Sequence, residues 1–325
     1  MSNLFFSLSK DNKLAEEVVK HLGLKLSEIQ IMNFADGETF AKPLVSVRNK
    51  NVFIIHSTTK PINENLMALL IALDSFKRAL AKEINVVFPY LCYARQDRKL
   101  QGREPITSRL VADLLTTAGA TRVLLVEIHS NQIQGFFNIP ADTVTTIYPI
   151  AEHIVRNISV KDLSIVSPDF GGLKRAKALN KLLNTDLLII DKERETANEC
   201  KAVHVLGEVK GKNCLIIDDI LDTGGTLLVA AKILKEKGAN KVMIVVSHAL
   251  FSRNALENFK VAWERKIVEK IYITNTLEFN SDCPFIEVIS ISEFLSKVIN
   301  MYMKNKGSLE EIYQEYEKNI KQILS

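Results

Sequence analysis

The stretch IIDDILDTGGTL (216–227) ends an apolar run on two adjacent carboxylates, Asp218 and Asp219, adds a third at Asp222, and then turns on two glycines. Two acidic side chains closing a buried run are costly to desolvate, so their presence points to a use. Strand, glycine turn and helix in succession make the crossover unit of α/β proteins, in which ligands sit where the strand ends. Thr223, Gly224, Gly225 and Thr226 present backbone amides beside a helix N-terminus, a setting that favours anions. The cup is the size of a monophosphate. It is not a P-loop, because no lysine follows the glycines in that motif's order. A carboxylate pair accepts hydrogen bonds from a vicinal diol, so a sugar phosphate satisfies both halves of the stretch.

The same unit recurs outward along the chain. Strand-like runs NVFIIHST (51–58), INVVFPY (84–90), TRVLLVEI (121–128), LSIVSPD (163–169), DLLIID (186–191) and KVMIVVS (241–247) alternate with helix-like segments at 63–80, 107–118, 173–183 and 226–237. The pattern predicts parallel sheets flanked by helices. Residues 107–129 also align without a gap on 226–248, with eight of 23 positions identical. That repeat predicts an internal duplication, two similar α/β domains, and a boundary near Tyr148. The domains expected are 1–147, 148–305 and a helical extension at 306–325. In the extension, Leu309, Ile312, Tyr313, Tyr316 and Ile320 fall on one helical face beyond Gly307. Such a face suits packing at a subunit interface or a regulatory contact.

A length of 325 residues suits two domains. Net charge of +4 without a basic stripe argues against a nucleic-acid binder. The apolar run near the N-terminus is too short for a signal peptide, and no run reaches a membrane span. Four scattered cysteines form no CxxC pair. Together these predict a cytoplasmic protein without membrane or nucleic-acid partners.

Other strand ends carry polar clusters. In PYLCYARQDRK (89–99), Arg95, Arg98 and Lys99 beside two tyrosines fit a nucleotide clamp, and composition fits a solvated basic loop equally. His129 and Asp169 each end a strand, and such a pair suits a hard divalent cation shared with phosphate oxygens. Lys192 and Arg194 in DKERET follow the strand DLLIID at a polar loop (193–199), which fits either an exposed turn or a lid that brings two cations onto a transferring phosphoryl group.

Taken in order, NFADGE (33–38), PYLCYARQDRK (89–99), EIHSNQIQGFF (127–137), VSPDFGGLKRAKAL (166–179), IDKER (190–194) and DDILDTGGT (218–226) resemble the ribose-phosphate pyrophosphokinase family, which has a phosphoribosyltransferase-type fold. The resemblance spans residues 33–276. It implies transfer of the β,γ-diphosphoryl group of ATP to the anomeric hydroxyl of ribose 5-phosphate, releasing AMP. It implies ATP contacts at Phe34, Asp36, Glu38, Arg95, Gln96 and Arg98, with 33–38 supplied by a neighbouring subunit. It implies ribose 5-phosphate contacts at Asp218, Asp219, Asp222, Thr223, Gly224, Gly225 and Thr226. Lys192 and Arg194 become the catalytic cations, Asp222 a candidate to orient the anomeric hydroxyl, and His129 and Asp169 the ligands of Mg²⁺. It further implies a homo-oligomer of the hexameric type built from dimers, and leaves regulation by ADP or phosphate open. Glu127 and Glu193 depart from the family's usual aspartate and arginine. A nucleobase phosphoribosyltransferase would share DDILDTGGT, and a non-catalytic regulatory subunit would share the fold.

Overall fold

A computed structural model describes residues 3–9, 11–196 and 199–325, with side chains described outside 192–203. The chain divides into two compact units. One comprises Met1–Thr145, Thr276–Glu278 and Ser292–Gly307, and the other Thr146–Asn275, Phe279–Ile291 and Ser308–Ser325.

The first unit holds β1 (Asn3–Phe6), α1 (Lys13–His21), the hairpin β2 (Ile29–Asn33) and β3 (Thr39–Pro43), β4 (Asn51–Ile55), α2 (Ile62–Arg78), β5 (Glu83–Phe88), α3 (Thr107–Ala118), β6 (Arg122–Val126) and β7 (Ala141–Val144). The second begins with α4 (Ile147–Asn157) and continues through β8 (Leu163–Ser167), α5 (Leu173–Leu183), β9 (Asp186–Thr196), β10 (Glu199–Leu206), β11 (Asn213–Leu221), α6 (Gly225–Glu236), β12 (Lys241–Ala249), α7 (Ala255–Glu264), β13 (Lys270–Thr274) and β14 (Ile286–Ile289). Two helices complete the chain, α8 (Ser292–Lys304) and α9 (Leu309–Leu324).

Among the described residues, one sheet runs β1-β4-β5-β6-β7 and is parallel throughout. The other runs β10-β9-β8-β11-β12-β13-β14 and is parallel except for β10 against β9. Parallel strands covered on both faces should carry unbroken apolar runs, as β11 does over 214–217 and β12 over 242–246. Ile216 packs with Val246 and Phe259 on one face of its sheet, and the adjacent Ile217 with Val245, Ile154 and Leu179 on the other. In the first unit, Phe6, Ile54, Leu69, Leu73, Phe76 and Phe88 form the core between sheet and helices.

The two units are similar domains, and their ladders match strand for strand. Asn51 pairs with Asn3 on one side and Glu83 on the other; Asn213 pairs with Leu163 and Lys241. From there Asn85 meets Arg122 as Met243 meets Lys270, and Val123 meets Ala141 as Ile271 meets Ile286. The register therefore equates β1, β4, β5, β6 and β7 with β8, β11, β12, β13 and β14; by chain order the antiparallel pair β2–β3, a separate sheet, corresponds to β9–β10, where β9 joins β8. The ungapped alignment of 107–129 on 226–248 pairs α3 and β6 with α6 and β12, one strand–helix unit out of step with this topology. Its matches are the helix–Gly-Ala–strand residues that any such unit favours.

Two boundary helices follow the same symmetry. α4 follows β7 and belongs to the second unit, packing on α5 and α9; α8 follows β14 and belongs to the first, packing on α1. Tyr313 stacks on Tyr148 with centroids 4.4 Å apart, and Ile312, Tyr316 and Ile320 are buried, so the apolar face of α9 is spent within its own chain. Residues 193–196, expected in a loop, continue β9 against β10. Among the described residues no helix is long and apolar enough to cross a membrane.

Candidate active site

In the second unit the strand order reverses between β8 and β11, since β8 leads through α5 to β9 and β11 leads through α6 to β12 on the opposite side. Ligands of open α/β sheets bind in the crevice at such a point. β8 and β11 stay paired only as far as Val166 and Ile216, and Asp218 and Asp219 follow after Ile217.

The two carboxylates are largely buried. The Asp219 amide donates to Asp218 Oδ1 at 2.9 Å, and Arg175 Nη1, from the first turn of α5, stands 3.5 Å from Oδ1 of each aspartate. Burial pushes the Asp218 carboxyl up to about 8, and the neighbouring Asp219 adds to this through its hydrogen bond and charge; Arg175 and the Asp219 amide pull the other way. Folding thus brings together two acids that resist sharing a dry site, with one guanidinium to offset them.

Past the pair, Leu221 and Asp222 carbonyls accept from the backbone amides of Leu250 and Ser252, which fixes the turn to the loop after β12. Gly224 adopts φ +76° as the N-cap of α6, and an added Cβ would lie 2.4 Å from Phe259 Cε2. Gly225 has open space where its Cβ would be. The sequence assigned both glycines to ligand access; Gly224 is required by the fold itself, and Gly225 faces open space.

Across the crevice Ser167 Oγ donates to the Asp169 carbonyl at 2.7 Å, and Asp169 Oδ1 accepts from the Gly172 amide at 2.9 Å. That carboxylate ties down the turn that leads into α5.

In the first unit, His129 is exposed and stands beyond the end of β6. Nearby Asp97 accepts from Gln132 Nε2 at 3.0 Å. Although burial raises it, hydrogen bonds from Gln132 and Ser130 and the charge of His129 hold Asp97 below the usual carboxylate range. Glu127 is buried at φ +44° and accepts from Thr145 Oγ1 at 2.7 Å. Left-handed backbone at a non-glycine residue costs energy, and it recurs at strand-end loops here: Tyr93 after β5, Glu127 after β6, Phe251 and Arg253 after β12. Arg95, Gln96 and Arg98 are exposed on the β5–α3 loop, where Gln96 Oε1 accepts from Thr107 Oγ1. Phe34, Asp36 and Glu38 occupy the tip of the β2–β3 hairpin, with Phe34 half exposed and set edge-on to Phe40. His129 and Asp169 belong to different units, and among the described residues no group of three or more His, Cys, Asp or Glu side chains is arranged to hold a metal. The side chains of Lys192 and Arg194 lie outside the described residues.

Comparison with known proteins places this geometry. A profile for the N-terminal domain of ribose phosphate pyrophosphokinase matches residues 4–119, and one for the phosphoribosyl transferase domain matches 143–284. Ribose-phosphate pyrophosphokinase of Mycoplasma pneumoniae is 46% identical over 97% of this chain and 96% of its own, and that of Ureaplasma parvum gives the same figures. The chain belongs to the ribose phosphate pyrophosphokinase family. A solved phosphoribosylpyrophosphate synthetase from Mycobacterium smegmatis superposes with a TM-score of 0.87 at 35% identity, covering 94% of this chain and 100% of that one.

Two charged residues beside the predicted site residues were not singled out from the sequence. Arg175 is one base among three in LKRAK, and only the fold turns it toward Asp218. Asp97 sits inside ARQDR, where the cations drew attention first. Cys92 and Cys214 are buried, with burial raising both thiols and pushing Cys214 up to about 11, consistent with inert core residues.

Proposed function

We propose that the protein makes 5-phosphoribosyl 1-diphosphate, transferring the β,γ-diphosphoryl group of ATP to the anomeric hydroxyl of ribose 5-phosphate and releasing AMP. The observation that carries this reading is the buried Asp218–Asp219 pair running into the turn at the N-terminus of α6, in a chain that matches named pyrophosphokinases along its length.

The sugar's 5-phosphate sits against the amides and hydroxyls of Thr223, Gly224, Gly225 and Thr226, and its ring hydroxyls donate to Asp218 and Asp219. Asp222 orients the anomeric hydroxyl. ATP is held by Arg95, Gln96 and Arg98, with Phe34, Asp36 and Glu38 contributed by a neighbouring subunit of a homo-oligomer. The exposed hairpin tip suits such a contribution. Lys192 and Arg194 neutralise charge on the transferring group, and phosphoryl chemistry asks mainly for positioning and charge stabilisation. An imidazole and a carboxylate are donor types that a divalent cation accepts. His129 and Asp169 would hold Mg²⁺, which would offset charge on the phosphate oxygens.

The test is AMP formation from ATP and ribose 5-phosphate with Mg²⁺. Lys192→Ala is expected to abolish it. Diphosphate release that depends on an added nucleobase would instead identify a phosphoribosyltransferase, and a well-assembled sample making no AMP would identify a regulatory subunit.

A further inference from the structure

We infer that Arg175 is a positioning residue for the sugar site, setting Asp218 and Asp219 as a joint acceptor for the ribose hydroxyls. The inference rests on the reading that this pair holds the sugar. Arg175 reaches the pair from α5, on the far side of the crevice between β8 and β11. A single nitrogen, Nη1, is equidistant at 3.5 Å from one oxygen of each carboxylate, so its charge is divided between them. Side-chain exposures of 14% for Arg175, 20% for Asp218 and 10% for Asp219 put all three charges where water screens them weakly. Two anions held side by side in such a place repel each other, and a cation facing both eases the ionisation of the pair. Among the described residues, the charges of Asp219 and Arg175 act on Asp218 in opposite directions.

The first unit provides an internal control. Its matching strand end carries His56 and Ser57 where the second unit has Asp218 and Asp219, as the shared register from Asn51 and Asn213 fixes. Its matching helix turn is Leu14-Ala15, both buried, where α5 has Arg175. Even the turn between strand and helix is alike, with Ser7 Oγ donating to the Ser9 carbonyl as Ser167 Oγ does to that of Asp169. The same strand–turn–helix therefore forms without the cation or the acids. Arg175 is not part of what the scaffold needs, and it occurs in the copy that has the acidic pair and the glycine turn.

The experiment compares Arg175→Met and Arg175→Lys with Asp219→Asn, measuring kcat, KM for each substrate and the pH profile of kcat/KM for ribose 5-phosphate. Melting curves confirm that each variant folds. Arg175→Met should raise KM for ribose 5-phosphate about tenfold or more, leave KM for ATP unchanged, and move the acidic limb of the profile to higher pH. Arg175→Lys should restore the limb's position, because the charge returns. An unmoved limb, or equal losses in both KM values, overturns the positioning role. If Asp219→Asn leaves KM for ribose 5-phosphate unchanged, the sugar-site reading fails instead. If Asp219→Asn raises it and Arg175→Met does not, the sugar-site reading stands and the inference about Arg175 falls.

Discussion

Asp218 and His56 occupy matching strand ends and titrate abnormally in opposite senses. The Asp218 carboxyl rises from 3.8 to about 8, so the folded state binds more protons than the unfolded state between those limits. Its contribution to stability is present in acid and is lost as pH rises through about 8. Asp218→Asn should therefore melt above the wild type at about pH 9, with the gap shrinking toward about pH 6, while its KM for ribose 5-phosphate rises. A gap that does not change with pH would show that the ionised carboxylate is accommodated at no cost. His56 behaves the other way. Burial holds its imidazole down at about 4, with the Asn65 backbone pulling upward through a loose polar contact, and among the described residues neither ring nitrogen meets a partner at full hydrogen-bond geometry. The unfolded state then binds more protons between pH 4 and 6.5, and stability is lost as pH falls through that window. Replacing an unsatisfied buried polar group by an apolar one of similar size should stabilise, so His56→Leu is expected to gain on the order of 1 kcal/mol at neutral pH and to flatten the acid limb of unfolding. Chemical denaturation at several pH values reads both effects.

The β11–α6 connection separates two roles that one glycine pair had concealed. Gly224 combines positive φ with a Phe259 ring 2.4 Å from any Cβ, so Gly224→Ala should cost roughly 1–3 kcal/mol of stability. Gly225 meets nothing, so Gly225→Ala should melt like the wild type yet raise KM for ribose 5-phosphate, because a methyl group would stand where the sugar's phosphate approaches. If Gly225→Ala alters neither quantity, the phosphate does not sit against that amide. Much of this element was legible in the sequence. The apolar runs of β11, β12 and β8 announce buried parallel strands, and α3 and α5 were bounded correctly at 107–118 and 173–183. The strand β9 was not legible past Asp191. DKERET carries alternating charge without an apolar pattern, and its backbone pairs with β10. Arg175 was hidden for a related reason: helix spacing tells which face a residue lies on, but not that the facing strand end is acidic.

At the scale of the molecule, the duplication was visible and its register was not, because register is set by ladder pairing that no local pattern encodes. Membership of α8 in the first unit was hidden for the same reason, since it follows β14 in sequence and packs on α1. Assembly is a further property of whole molecules that a single chain does not exhibit, and it has a direct test. Phe34, Asp36 and Glu38 stand on an exposed hairpin tip, so Phe34→Ala should leave the fold intact, removing only an edge contact with Phe40. If the tip serves a neighbour's nucleotide site, Phe34→Ala disables sites on adjacent subunits, whereas Lys192→Ala disables a subunit's own. Subunits of the two inactive variants, dissociated and reassembled together, should then form some sites with an intact lysine from one chain and an intact tip from the other. Measurable AMP formation by the mixture, with none from either parent alone, is the expected result. Mixtures that stay as inactive as their parents despite forming hybrid oligomers would place the tip in the site of its own chain.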